Sequence, residues 1–400
     1  MLISSAIPLA GLVASAVTTL EPAEEAAEQP QRWVTGGMID SAYIYNSNRP
    51  ANHVYRGAYT TPRTNEFTLN LAGAFVERRA GPSGGWNLQL GVHGGAAVNA
   101  VYAAEPTPGD EDSQYAGAEV FQHIARANTG AAFSSGTRLD FGVFSSPVGI
   151  GGLWSNDNWL YSSTWESNWV PYYLSGLRVG QALPENLRLE LWVVNGWQTV
   201  ADVNVAPSGL LGLYWEPDEG PREGAFVAAH LFSGPETEKL APDTWLVHGS
   251  VQAGYDRPRI GIAAVADAGR GGLPSSPEDV GVYYGGAIFS RVALFRHDDV
   301  TLDFNLRPEV WADPDGLTYG RDGIFYAASS GLALRAFGGL TLRLEYRYDL
   351  STGDDGAFFV EERTSDQDVL ASDQHTLFVN LTGYYEIAFG GPKRPQASKP

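Results

Sequence analysis

The chain has 400 residues, no cysteine, and 46 acidic against 26 basic side chains, for a formal charge of -20. That balance argues against a nucleic-acid partner, because phosphate binding needs a basic surface, and the missing thiols exclude disulfides, iron–sulfur clusters and cysteine-zinc sites. Apolar residues make up 44% and aromatics 12%, with 47 glycines, yet no apolar run of about 20 residues follows the N-terminal segment, which excludes a helical membrane protein and favours strands and turns.

Residues 1–16 end in Ala14-Ser-Ala16 after an apolar run. They read as a secretory signal peptide whose basic front is missing. Residues 17–31, with Glu21, Glu24, Glu25 and Glu28, read as an acidic extension with no core to join. From Trp33 onward short alternating runs recur. Phe67, Leu69, Leu71 and Phe75 are expected to share one face of an early run.

The most informative stretch is 137–197. Leu139, Phe141, Val143, Leu187, Leu189, Leu191 and Val193 alternate with Arg138, Asp140, Arg188 and Glu190. Side chains of a strand alternate between faces, so each such run has one greasy and one charged face. The same pattern returns where Asp303, Asn305, Arg307 and Glu309 alternate with Leu302, Phe304, Leu306 and Val310. It returns again where Arg343, Glu345 and Arg347 alternate with Leu342, Leu344 and Tyr346, and in the last run, ending at Phe389. A soluble sandwich would bury the greasy faces; a membrane barrel would turn them outward and keep the charges in a wet lumen.

The connections favour the barrel. Seven short turns, such as 134–136, 183–186 and 337–339, alternate with eight longer segments at 47–62, 99–115, 146–171, 198–207, 233–242, 269–280, 313–322 and 351–372. Tight periplasmic turns alternating with larger external loops mark a transmembrane antiparallel up-and-down β-barrel, here of about sixteen strands within a range of about 14 to 18. The barrel domain spans residues 32–389, with a C-terminal tail at 390–400. Aromatics near run ends (Trp33, Tyr43, Tyr45, Trp86, Trp192, Trp197, Trp215, Trp245, Tyr255, Trp311 and Tyr348) are expected as girdles at the two edges of the membrane.

Several pieces then occur in a fixed order: Phe144-Ser-Ser-Pro-Val-Gly-Ile-Gly151, Asn156-Asp-Asn-Trp159, Tyr161-Ser162, Pro171-Tyr-Tyr173, Ser175-Gly-Leu-Arg178 and Trp192-Val-Val-Asn-Gly-Trp197. In these the chain resembles the OmpL-like β-barrel porin family, specifically over residues 119–215. The resemblance implies an exported outer-membrane protein whose partners are membrane lipid and small hydrophilic solutes or ions. Homo-oligomers, trimers by analogy, are common among such porins. The terminal aromatic that usually closes an outer-membrane barrel would be Phe389, which is followed by further residues.

If the charged faces point inward, the pore-lining residues are Arg126, Arg138, Asp140, Arg178, Arg188, Glu190, Asp303, Arg307, Glu309, Arg343, Glu345, Arg347 and Glu386. Such a mixed wall sets up a transverse field; the plainer reading is cross-strand pairing that stiffens the wall. The candidate constriction is the loop 146–171, with Trp154, Asp157, Trp159, Trp165, Glu166 and Trp169, because that much apolar surface is costly in water. Carboxylates at Glu105, Asp110, Glu111 and Asp112, and at Asp354, Asp355, Glu361, Glu362, Asp366 and Asp368, read as solvated loops rather than cation sites. No cofactor or metal motif occurs, and the chain is read as a non-enzyme. The alternatives are a secreted all-β carbohydrate-binding protein using Trp154, Trp159, Trp165 and Trp169 as a stacking platform, or a barrel enzyme of phospholipase type using His123 with Ser134 or Ser175.

Overall fold

The structure is a computed structural model. It describes residues 32–389 except 82, 106–120, 203, 218, 238–240, 354–355 and 365–366, and only the backbone of 104, 362–364 and 367–369. The expected leader, acidic extension and C-terminal tail lie outside these residues, as do the side chains of the acidic loops at 110–112, 354–355 and 362–368.

Alternating sequence makes strands, and here they close on themselves. The first eight are β1 (Arg32–Asn46), β2 (Phe67–Arg79), β3 (Gly84–Gly94), β4 (Ile124–Phe133), β5 (Thr137–Ser145), β6 (Tyr173–Leu183), β7 (Leu187–Val194) and β8 (Ser208–Trp215). They are followed by β9 (Ala225–Gly234), β10 (Leu246–Arg257), β11 (Ile260–Leu273), β12 (Ser276–His297), β13 (Val300–Asp313), β14 (Gly323–Ala336) and β15 (Leu340–Ser351). A short hairpin, β16 (Phe358–Thr364) and β17 (Gln367–Ala371), rides in the last long loop, and β18 (Asp373–Phe389) returns to pair with β1. Sixteen antiparallel strands thus form one closed barrel with no free edge. Closure runs from Trp33 opposite Phe389 to Asn46 opposite Thr376.

The orientation of the faces decides between sandwich and barrel. Phe304 and Leu344 are 40% and 47% exposed, whereas Arg307 and Arg343 are 2% and 1% exposed. Grease therefore faces out and charge faces in, which rules out the soluble sandwich. At one end the strands join through tight turns; Glu185 and Asn186 both take left-handed backbone between β6 and β7.

Three local expectations are corrected. The loop expected at 269–280 is a two-residue turn at Pro274-Ser275 between β11 and β12. Its glycines belong to the strand: a Cβ on Gly269 would overlap the Tyr283 hydroxyl, so the residue is small to admit a ring. The shared face of Phe67, Leu69, Leu71 and Phe75 is split, because Asp40 pairs with Leu71 while the next residue, Ser41, pairs with Leu69. That extra residue, Asn70, is a bulge that flips the face: Phe67 and Leu69 are exposed, Leu71 and Phe75 buried. Thirdly, Trp192 and Trp311 are not girdle residues; they share the inward faces of Arg188 and Arg307 and are buried, as Trp197 is half-buried against the core they join.

An apolar outer belt makes a definite demand on its solvent. Leu344→Arg at mid-strand is expected to cost about 2–4 kcal/mol if that belt meets hydrocarbon, against about half a kcal/mol for an ordinary wet surface. Urea titration of the barrel refolded into lipid vesicles, followed by heat-modifiable gel mobility, measures the difference.

Candidate functional site: the barrel lumen

The feature that dominates the interior is the segment between β5 and β6. Gly149 and Gly151 sit at φ of +90° and +112°, backbone that favours glycine, and let the chain turn away from the strand direction. Thr164 then caps a five-residue helix, α2 (Trp165–Trp169), accepting a hydrogen bond from Ser167 N at 2.8 Å; the preceding helix, α1 (Ala96–Val101), lies in the β3–β4 connection. The segment does not stay at the rim. Its bonds go to β13, β15, β18 and β1, and β13 lies eight strands from β5 around the barrel. It therefore crosses the lumen to the opposite wall.

Buried wall charges hold its backbone. Arg343 Nη2 donates to the carbonyls of Ser155 at 2.8 Å and Asn158 at 3.0 Å. Glu345 accepts from Tyr161 N at 2.6 Å and Ser162 N at 3.0 Å, and from the Ser162 hydroxyl. Arg307 donates to Ser162 O at 2.6 Å, Arg347 donates to Ser163 O at 2.9 Å, and Glu309 accepts from Trp165 N at 2.7 Å. Asp40 of β1 accepts from Ser155 Oγ at 2.8 Å, Tyr161 Oη at 3.1 Å and Asn380 Nδ2 at 2.6 Å. Glu309 also pairs with Arg307 and Arg347, so these charges are matched as well as solvated by peptide groups.

The aromatic side chains seat in gaps left by glycine. Trp159 lies across Gly261, where a Cβ would overlap its ring, and joins Ile150, Phe226, Ala263, Val265, Ala287 and Phe289; the Arg291 guanidinium sits 5.4 Å from its ring. Trp154 covers Gly73 beside Phe75. Trp165 packs against Phe325 and Tyr319 at 4.9 and 5.1 Å between ring centres, and Trp169 lies 5.4 Å from Tyr283. Trp159 and Trp165 are each 4% exposed, so they offer no open stacking platform. Glu166 is buried in α2, and Asp157 and Trp154 are half-buried.

The remaining expected lumen charges are distributed differently. Asp140 is buried between Arg138 at 2.6 Å and Arg178 at 2.7 Å. Arg188 meets Glu190 at 3.2 Å, and Glu190 also accepts from Trp192 Nε1 at 3.1 Å. Asp303 pairs with Arg335 and, at 3.5 Å, with Arg291. Arg126 pairs with Glu77 at 2.8 Å and keeps 21% of its side chain exposed. Glu386 is exposed at the turn end of β18 and accepts from Tyr384 Oη at 2.8 Å. Asp40, Asp267, Arg291 and His248 also face the lumen, and sequence reasoning passed over them. Strand parity is the signal that would have found them, since each stands in line with other buried positions of its strand, as His248 does with Ser250 and Gln252.

The dyads considered for a barrel enzyme do not form. Ser134 and His123 flank opposite ends of β4, and His123 Nδ1 is instead 3.1 Å from the carbonyl of His93. Ser175 pairs with Val143 on β5 and lies opposite in parity to the inward Arg178.

The anchoring scheme has a direct test. Glu345→Ala leaves two buried N–H groups without an acceptor and is expected to cost about 3–5 kcal/mol of segment docking. Limited proteolysis within 155–163 should quicken while the barrel itself keeps its gel mobility.

Among known proteins, the family model described as "Putative beta-barrel porin-2, OmpL-like" matches residues 34–382. No curated protein matches the chain in sequence. Of solved structures, the anion-selective porin from Comamonas acidovorans is 10% identical over 88% of this chain and 100% of its own, with a TM-score of 0.53. Salmonella typhi OmpF, solved in complex with daunomycin, is 12% identical over 88% of this chain and 97% of its own, with a TM-score of 0.55. The outer membrane channel DcaP of Acinetobacter baumannii is 11% identical over 90% of this chain and 98% of its own, with a TM-score of 0.52. At these identities the likeness concerns the barrel alone. The family match spans most of the chain and runs from β1 into β18, so this protein belongs to the OmpL-like β-barrel porin family of the outer membrane.

Proposed function

We propose that residues 146–172 form the constriction of a passive diffusion channel, and that small hydrophilic solutes or ions pass between this segment and the wall made by β3 to β8. The observation that carries this reading is that residues 155–165, the middle of the segment, are bonded to β13, β15, β18 and β1, while residues 151–154, 156 and 157 stay at least partly exposed. Its end, at Trp169 and Tyr172, meets Trp197 and Gln198 of the β7–β8 connection. Facing β4 to β6, the inner wall is built from small residues between its charges: Gly130, Gly142, Gly176 and Gly180.

Arg126, Arg138, Asp140, Arg178, Arg188 and Glu190 line this path as paired charges, giving a transverse field that orients a dipolar solute without holding it. Arg307, Glu309, Arg343, Glu345 and Arg347 contribute by fixing the segment. The channel works without cofactor or covalent chemistry: a wet path lowers the cost of moving polar solutes across lipid, and the gap beside the segment sets size. Residues 1–16 serve as the signal peptide for export.

Planar-bilayer recording of the purified protein tests the reading. Stepwise current with a small reversal potential under a salt gradient is expected, and Arg126→Glu should move that potential toward cation preference with little change in gel mobility. Silence at high protein load would overturn the channel.

A further inference from the structure

Away from the proposed path, the long loops enclose a second hollow. Its walls come from the β1–β2 and β13–β14 connections, α2, β14 and the last long loop, so it lies on the side of α2 opposite β3 to β8. The hollow measures about 70 Å³, and one water needs roughly 10–15 Å³ of such space, so a guest of several non-hydrogen atoms fits.

The floor is aromatic and dry. Trp165 and Phe325 are 4% and 2% exposed, and with Tyr319 they pack at 4.9 to 5.3 Å between ring centres. Gly57, at φ of +75°, brings the β1–β2 connection so near that a Cβ would lie 2.7 Å from the Trp165 ring. This tip is held in place by Tyr59 N, which donates to Asn168 Oδ1, and by the Thr60 hydroxyl, which donates to Ser163 Oγ, each at 2.9 Å.

The polar part of the wall is made of donors. No lining residue has a carboxylate or carboxamide side chain. Two lining carbonyls are already taken, since Ala357 O accepts from Arg56 Nη1 at 3.2 Å and Trp165 O accepts from the Tyr319 hydroxyl. The buried indole N–H of Trp165 has no acceptor among the described residues. Half-buried Arg56 and Arg321 complete the wall, and Tyr59 stands at its rim. Two guanidinium charges outweigh the pull of the ring faces on a cation, and a sugar would find little to accept its hydroxyl hydrogens. The guest must bring acceptors and negative charge, with a flat head for a guanidinium fork and a short apolar body for the rings.

We propose that this hollow is a binding site for a short aliphatic monocarboxylate, its oxygens on Arg56 and Arg321 and its hydrocarbon end on Trp165 and Phe325. Being off the solute path, the bound carboxylate ties the β1–β2 connection to the β13–β14 connection. The site goes beyond the channel reading and does not rest on it.

Saturation-transfer NMR of the full-length protein in detergent micelles, with sodium propionate as the probe, tests the site. Transfer that saturates with a Kd on the order of a millimolar is expected for so small an anion. Propionamide, similar in shape but uncharged, should bind at least about tenfold more weakly, and Arg56→Gln and Arg321→Gln should each weaken propionate by about the same factor. Ala357→Leu keeps both arginines, fills the hollow and should abolish binding. Unchanged heat-modifiable gel mobility shows that the barrel of each variant has folded. Wild-type protein without transfer, propionamide binding as tightly as propionate, or Ala357→Leu binding like the wild type would overturn the site. Sulfate displacing propionate as well as butyrate does would overturn the apolar half of the recognition. Because binding is read without current, silence in planar bilayers would remove the channel and leave this site standing.

Discussion

Ionised side chains and bare peptide groups are both costly away from water, and this barrel solves the two problems with one set of contacts. The inward faces of β13 and β15 carry Arg307, Glu309, Arg343, Glu345 and Arg347, all buried. Desolvating such charges costs several kcal/mol each unless every donor and acceptor is met. The segment between β5 and β6 carries carbonyls and N–H groups with no strand of their own to pair with. Each set completes the other: arginine donates to carbonyls at 155, 158, 162 and 163, and glutamate accepts from N–H groups at 161, 162 and 165. Because its polar demands are met by the wall, the segment can spend its side chains on Trp154, Trp159, Trp165 and Trp169, which no exposed loop could carry in water.

Much of this was legible in the sequence because a strand has the simplest of periods. Charge at every second position of β5, β7, β13 and β15 fixed which face was wet, and the spacing of turns fixed the strand number. The failures came from reading residue type ahead of parity. Trp192 and Trp311 were assigned to the membrane edge as aromatics, yet they stand on the same parity as Glu190 and Glu309 and so had to face inward. Glycines 269, 271 and 272 suggested a loop, whereas in a strand that passes the Tyr283 ring they are small for the sake of approach. The bulge at Asn70 left no trace, because an extra residue on one strand is defined by its partner. For the lumen, the charges were found and their partners were not. Hydrogen bonds between Arg343 and Ser155, or Glu345 and Tyr161, join residues nearly two hundred positions apart, and no local pattern encodes them.

The anchoring also divides the interior into two unequal halves. Bulky, charged and occupied surface lies along β1, β18, β15 and β13. Along β4 to β6 the inward positions combine the charges of Arg126, Arg138, Asp140 and Arg178 with Gly130, Gly142, Gly176 and Gly180. In the proposed channel, a loop whose middle is held on one side narrows a tube without sealing it, and the fineness of the gap then depends on how firmly the loop is held rather than on the barrel's diameter. Its fastenings are divided between guanidinium groups, which stay charged at any physiological pH, and the buried carboxylates of Asp40, Glu309 and Glu345.

The same division explains how a barrel persists at 10–12% identity to the porins it resembles in shape. On the outer face any apolar side chain serves, and in the ladders the backbone alone makes the bonds, so strand closure constrains parity and length but hardly identity. Constraint on identity is concentrated where a side chain must reach one atom: Arg343 at a carbonyl, Gly261 beneath a tryptophan, Asp40 between a serine and a tyrosine. Such contacts belong to the particular loop being held. A barrel can therefore keep its shape while its inserted segment and the wall residues that grip it change together, and what distinguishes one such channel from another is written in that grip.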